Sequence, residues 1–200
     1  MTGIILTCGI LLVVGLIIVF IIGLYNGLVT AKTRVDETWR QIDVRLQNRY
    51  DLLPDLIQAV EKAVSTDKEI QTKIAEVRSA ADSAKSIASN PEHAAEIAKA
   101  ESTLTSALSG LRVSVEAYPE LRSQEAIQNF MNQDVLVEEK IAAARQIYNS
   151  TAREYNEKIA VVPSNIIAGM FNFKAVSYYE AAEEAKKDIS ADWGGKVTSR

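Results

Sequence analysis

From Met1 to Tyr25 the chain carries no charged side chain, and Ile4 to Leu24 is almost continuously Ile, Leu, Val, Phe and Gly. A segment apolar on every side is stable only inside a large core or in lipid. About 20 such residues, at a helical rise of about 1.5 Å each, span a hydrocarbon layer of about 30 Å. A cleaved secretory signal also begins with an apolar run, but it needs a basic start, a shorter apolar core and a small-residue cleavage site. Here no Lys or Arg precedes Lys32, and the following Asn26-Gly27 is unlike an A-x-A site. The segment therefore reads as a retained transmembrane helix over 4–25, with a short flank at 1–3, and the first partner expected is a lipid bilayer.

Orientation follows from charge, because short flanks rich in Lys and Arg stay on the cytoplasmic side. Lys32, Arg34, Arg40, Arg45 and Arg49 all follow the span. This predicts an N-terminus outside the cell (inner) membrane and a cytoplasmic body. Lys32 and Arg34 would then be the juxtamembrane basic pair, within reach of anionic lipid. Cys8, the only cysteine, lies inside the apolar run, so an intrachain disulfide is impossible and a buried structural thiol is expected. Its context, Ile5-Leu6-Thr7-Cys8-Gly9, is loosely similar to a lipoprotein cleavage site, yet the long apolar run follows it instead of preceding it.

The rest of the chain is long enough for one domain with a sizeable core. Charge is nearly balanced, 22 Lys+Arg against 26 Asp+Glu, without the concentrated basic face that nucleic-acid binding needs. After the anchor, Val35, Trp39, Ile42, Leu46, Leu53, Leu56, Val60 and Val64 keep steps of three and four, with Arg49 in the slot between Leu46 and Leu53. Pro54 interrupts this helix and is expected to kink it. Ser65-Thr66-Asp67 supplies cap-type residues for a second helix with the stripe Ile70, Ile74, Val77, Ala81, Ala84, Ala88.

Asn90-Pro91 is a stop and restart. The next stripe is Ile97, Glu101, Leu104, Leu108, Leu111, Val115 and Tyr118, and Pro119 divides it from a long helix. That helix carries Ile127, Phe130, Asp134, Val137, Ile141, Ala144, Tyr148, Ala152, Tyr155, Ile159 and Val162. Pro163 precedes a final helix expected to run to about Ile189, leaving 191–200 as a loose tail. No segment alternates with period two. The fold class is therefore all-α: an N-terminal transmembrane helix followed, over 26–190, by an elongated antiparallel four- or five-helix bundle of coiled-coil-like stripes.

Several stretches, in order and at characteristic spacing, resemble the LemA family. They are Tyr25-Asn26-Gly27-Leu28-Val29, Ile42-Asp43-Val44, Asn48 to Leu56, Tyr118-Pro119-Glu120-Leu121, Glu139-Lys140-Ile141-Ala142, Ala144-Arg145, Tyr148-Asn149, Tyr155-Asn156, and Val162 to Ala168. The resemblance implies a single-pass bacterial membrane protein with a bundle of long helices and no established biochemical activity. A magnetosome-associated branch of the family is linked to membrane organelle formation, which points to a membrane-organising or scaffolding role.

The residues themselves give little support to catalysis. His93 is the only histidine and reads as an exposed turn residue, and paired Glu-x-x-His motifs, a nucleophile elbow and Gly-rich phosphate loops are all missing. No cofactor or metal ligand set is assigned. Arg49, Glu101 and Asp134 each interrupt an apolar stripe, and at about 1.5 Å per residue they fall at similar heights on the rod. They form a candidate buried polar layer in which Arg49 bridges two carboxylates; the alternative is that one or more snorkels to water from the stripe's edge.

Tyr148-Asn149 and Tyr155-Asn156 recur at seven residues, placing both Tyr on one face and both Asn on the adjoining one. The tyrosines read as core residues with hydroxyls at the rim, or the pair of Asn as a ladder that binds a partner. Ile166, Ile167, Met170, Phe171 and Phe173 form an apolar patch near membrane level. It either packs beneath Leu28, Val35 and Trp39 or meets headgroups or a neighbouring protomer. The expected function is a non-enzymatic membrane-anchored scaffold that is homo-oligomeric or recruits a protein partner; the alternative is a sensory or adaptor module.

Overall fold

The computed structural model describes residues 2–63, 67–87 and 89–180. Its elements are α1 (Thr2–Ala63), α2 (Lys68–Ser86), a 3-10 turn (Pro91–His93), α3 (Ala94–Ala117), α4 (Pro119–Arg122), α5 (Glu125–Ala160) and α6 (Ser164–Met170), with no strand among the described residues. The chain is all-α, as its stripes demand.

α1 is one helix of 62 residues, about 90 Å long, and Pro54 lies inside it. The most apolar 18-residue stretch, near its N-terminus, has no cover from the rest of the chain. Cys8 lies on this uncovered surface, so the expectation of a buried thiol is not met: nothing in the body reaches that far along the helix. Burial begins at Leu28 and continues through Val35, Trp39, Ile42, Leu46, Leu53, Leu56 and Val60, the stripe read from the sequence. Val64 and Ala88, the ends of two stripes, lie outside the described residues.

Pairwise contacts fix the register of an antiparallel rod. At the base, Nζ of Lys158 near the end of α5 donates to the Gly27 carbonyl at 3.3 Å. Further out, the Trp39 and Tyr148 rings stack edge to face at 5.3 Å. Ser89, after α2, reaches back to Asp43 on α1. At the far end, the Tyr118 hydroxyl donates to Asp67 Oδ2 at 2.7 Å. Asp67 also caps α2, accepting from the Glu69 and Ile70 amides at 2.9 and 3.3 Å, two donors a helix start leaves unmet. The Tyr118 hydrogen bond and these amides hold the Asp67 carboxyl below its ordinary range.

The last helix is a correction. Expected to run to about Ile189, it ends at Met170, and residues 173–180 have no regular secondary structure; residues 181–200, which include the expected tail, lie outside the described residues. The cause is local. Asn172 adopts a left-handed φ of 58°, the Phe173 amide bonds back to the Ala168 carbonyl at 2.9 Å, and the Asn172 amide to Gly169 at 3.4 Å. This is a Schellman ending, in which Asn replaces the usual Gly. The chain then turns back along α5 as an extended strap.

Candidate functional site

Arg49 arrives from α1, Glu101 from α3 and Asp134 from α5, each at a stripe position where the neighbours are apolar. All three are buried. Arg49 Nε donates to Asp134 Oδ1 at 3.0 Å, and Nη1 donates to Glu101 Oε2 at 3.2 Å and to Thr105 Oγ1 at 3.0 Å. The Tyr50 hydroxyl donates to the other Glu101 oxygen. Tyr50 and Thr105 were not singled out from sequence. The available signal was position: Tyr50 follows Arg49, and Thr105 lies one turn beyond Glu101 on the same face.

The charges respond to this setting. Burial acts to lower the Arg49 pKa, but the Asp134 and Glu101 carboxylates outweigh it, and the guanidinium is held above its ordinary value. Burial pushes Glu101 upward against the opposing hydrogen bonds of Tyr50 and Arg49. The Tyr50 phenol is raised by burial and by the Glu101 charge. All three charged side chains have little access to solvent, so each acts on the others through short, weakly screened contacts.

The second feature lies on α5. Tyr148 and Tyr155 are fully buried, and with Asn149 and Asn156 they grip the strap entirely through its main chain. The Asn156 amide donates to the Val176 carbonyl and accepts from the Val176 N–H, both at 2.9 Å. Asn149 does the same to Tyr179, at 3.0 and 2.8 Å. The Tyr148 hydroxyl donates to the Ser177 carbonyl at 2.7 Å, and that of Tyr155 to the Lys174 carbonyl at 2.9 Å. An extended segment cannot satisfy its own N–H and C=O groups, and these side chains do so in place of a second strand. The tyrosine rings fill the core as expected, and their hydroxyls and the Asn pair hold an extended segment of the same chain in the place where a partner-binding ladder was the alternative.

The membrane-level patch divides. Ile167 is buried with Leu28 and Ala168, and Phe173 packs against this cluster and the main core. Ile166, Met170 and Phe171 are exposed, as are Val161 and Val162 beside them. The Tyr25 ring lies 4.7 Å from that of Phe171 and 5.8 Å from that of Phe173, tying this corner to the end of the apolar span. Of the basic pair, Lys32 bonds Asp36 at 2.6 Å, while Arg34 is exposed and lines a groove between α1 and α5 with Lys158 and Glu154. His93 sits in the 3-10 turn with Nδ1 3.2 Å from Glu96 Oε2. Among the described residues no cluster of His, Cys, Asp and Glu is arranged to hold a metal ion.

The chain is similar to the magnetosome proteins MamQ 1 and MamQ 2 of Paramagnetospirillum magneticum, each 35% identical over 74 residues, which is 37% of this chain and 27% of theirs. MamQ of Magnetospirillum gryphiswaldense is 34% identical over 73 residues, 36% of this chain and 27% of its own. The chain thus spans about a quarter of the length of these relatives. A broader match covers the bundle itself: the sequence pattern of the LemA family extends over residues 38–192, which include Arg49, Glu101 and Asp134 and the Tyr–Asn pairs of α5, and the chain belongs to that family.

Proposed function

We propose that this protein is a membrane-anchored helical scaffold that self-associates or recruits protein partners at the bilayer surface, and that its role is not catalytic. The observation that carries the reading is α1. Its apolar half is uncovered from Leu6 to Val19, and the same unbroken helix then supplies the core of the bundle, so any movement or clustering of the body is transmitted to the span. The exposed set Val161, Val162, Ile166, Met170 and Phe171 lies at the level where the span ends, suited to headgroup contact or to a neighbouring copy. The similarity to magnetosome proteins gives further support. In the proposed orientation the N-terminus is outside the cell membrane and the body is cytoplasmic, with Lys32 and Arg34 facing anionic lipid.

Mild-detergent extraction with chemical crosslinking and mass spectrometry tests the reading. A ladder of homo-oligomers or a stoichiometric partner supports it, and a monomer that captures nothing ends it. Protection of the body from external protease in intact cells tests the orientation.

A second reading, a sensory or adaptor module, is favoured by a cavity of about 330 Å³ between α1, α3, α5 and the strap, with both charged and apolar groups in its wall. Arg49, Glu101, Glu138, Arg145 and Tyr179 line it. Its test is a thermal-shift screen with small polar metabolites against the wild type and an Arg145→Ala variant.

A further inference from the structure

We propose that the cavity between α3 and α5 binds a small zwitterion carrying one carboxylate and one ammonium group, of the class of a free amino acid with a short aliphatic side chain. The inference rests on the sensory reading above and names its ligand. Helical spacing builds the two long walls. Glu101, Ser102 and Thr105 share one face of α3, while Glu138, Ile141 and Arg145, at steps of three and four, share one face of α5. Arg49 of α1 and Tyr179 of the strap complete the lining. Arg49, Glu101, Ile141 and Tyr179 are buried, Glu138 and Arg145 half-buried, and Ser102 exposed, so the charges line a path from the mouth inward. A volume of about 330 Å³ admits a molecule of amino-acid size.

Two buried polar atoms of lining residues have no hydrogen-bond partner among the described residues: Nη2 of Arg49 and the hydroxyl of Tyr179. Arg49 engages Asp134 through Nε and Glu101 and Thr105 through Nη1, which leaves Nη2 as the donor for a ligand oxygen. Tyr179 is held in place by Asn149, which bonds its main chain at 3.0 and 2.8 Å, and by the Trp39 ring 6.3 Å away. Burial and the Glu101 carboxylate push the Tyr179 phenol up, while Arg145 and Arg49 act to lower it, so the hydroxyl stands among all three charges. A neutral phenol there both donates and accepts. A buried donor without an acceptor is costly, and a ligand carboxylate removes that cost.

Charge selects the class. Arg49 and Arg145 face Glu101 and Glu138 in the lining, and Asp134 sets a further carboxylate against Arg49. Carboxylates therefore outnumber guanidinium groups. An anion alone would deepen that excess, and a cation alone would leave Nη2 without an acceptor. A zwitterion leaves the net charge unchanged and answers both ends: its carboxylate accepts from Nη2 and the Tyr179 hydroxyl, its ammonium donates to Glu138, and its side chain lies against Ala98, Ile141 and Ala142.

Calorimetric titration of the full-length chain in mild detergent at neutral pH tests the proposal with L-valine and three analogues. These are 3-methylbutanoate, which lacks the ammonium, 2-methylpropylamine, which lacks the carboxylate, and 3-methylbutanamide, which has neither charge. L-Valine is expected to bind at least about tenfold more tightly than each analogue. Tyr179→Phe keeps the ring, removes the hydroxyl and should weaken L-valine about fivefold. Glu138→Gln should weaken L-valine and leave 3-methylbutanoate unchanged or tighter. An analogue that binds as tightly as L-valine leaves the sensory reading standing and overturns the zwitterion. L-Valine binding that neither substitution alters lies outside the cavity and overturns the proposal. No binding by any of these compounds overturns it as well, and the sensory reading then stands or falls with the wider metabolite screen. The analogue series runs on the unaltered chain, so it decides the matter even where a variant fails to fold.

Discussion

Arg49 on α1 and Asp134 on α5 meet at 3.0 Å across 85 positions of sequence, at a level of the rod where the stripes above and below are apolar. Glu101 on α3 completes the contact from the other side of Nη1. A pair this deeply buried adds less to net stability than its Coulomb attraction suggests, since three groups leave water to form it. What it adds is register. Sliding α5 by one turn, about 5.4 Å, would leave the Asp134 carboxylate among apolar side chains and Arg49 with Glu101 as its one acidic partner. The hydroxyls of Tyr50 and Thr105 add a donor to Glu101 and an acceptor for Nη1, while Nη2 of Arg49 is buried without a partner among the described residues, so the alignment of α1, α3 and α5 is fixed through Nε and Nη1.

Two variants separate register from stability. Arg49→Met strands two buried carboxylates and is expected to destabilise by about 3–5 kcal/mol, read from denaturant midpoints at constant slope. The triple variant Arg49→Met, Glu101→Leu, Asp134→Leu is expected to recover most of that loss. A single variant as stable as wild type would show that the layer is hydrated and energetically idle.

Glu101 gives a pH test whose sign is fixed by burial. Its folded pKa is raised by burial, against the lowering by Tyr50 and Arg49. A raised carboxyl favours the folded state at acid pH, and that contribution is lost as pH rises through the folded value. The stability advantage of wild type over Glu101→Gln should therefore be largest below the ordinary glutamate value of about 4.3 and shrink toward neutrality. An advantage that grows with pH would mean that the ion pair with Arg49 outweighs burial.

The strap offers a test by charge. Asn156→Asp keeps the oxygen that accepts from the Val176 amide but replaces the donor to the Val176 carbonyl with a second acceptor. At neutral pH two oxygens then oppose each other, and hydrogen exchange at the Val176 and Tyr179 amides should accelerate while α5 stays protected. Acid, by protonating the new carboxyl, should restore slow exchange. Unchanged protection at neutral pH would show that the Tyr hydroxyls alone hold the strap.

The triad could be read from the sequence because a charge inside an apolar stripe is conspicuous and a rise of about 1.5 Å per residue converts position into height. Tyr50 could not, because a hydroxyl at the far end of a six-membered ring reaches a partner that spacing alone does not specify. The end of α6 was misread for a different reason. Ala175, Val176, Tyr179 and the Ala-, Glu- and Lys-rich residues beyond form a good helical pattern, and local propensity favours continuation. Asn172 was the local signal against it, as a residue tolerant of left-handed backbone immediately before the half-buried Phe173. The deciding force lies 20 to 30 residues upstream, in side chains of α5 that satisfy an extended backbone as well as a helix would.

Phe171 reports on the membrane junction. It is 52% exposed, lies beside Tyr25, and has Val162, Ile166 and Met170 as exposed apolar neighbours. In water such a cluster would favour burial at about 25 cal/mol per Å² of apolar surface covered, and in the proposed anchored arrangement the nearest apolar phase is the bilayer. Phe171→Trp preserves the aromatic anchor and adds a probe. In vesicles of brominated lipid its emission should be quenched beyond that of the parent protein, and anionic lipid should strengthen the effect through exposed Arg34. Replacing Ile166 and Met170 with Glu in the Trp variant should remove the extra quenching and leave the helix content unchanged. Quenching no greater than that of the parent would place this corner in water or under a second protomer, and the membrane-contact part of the scaffold reading would fall.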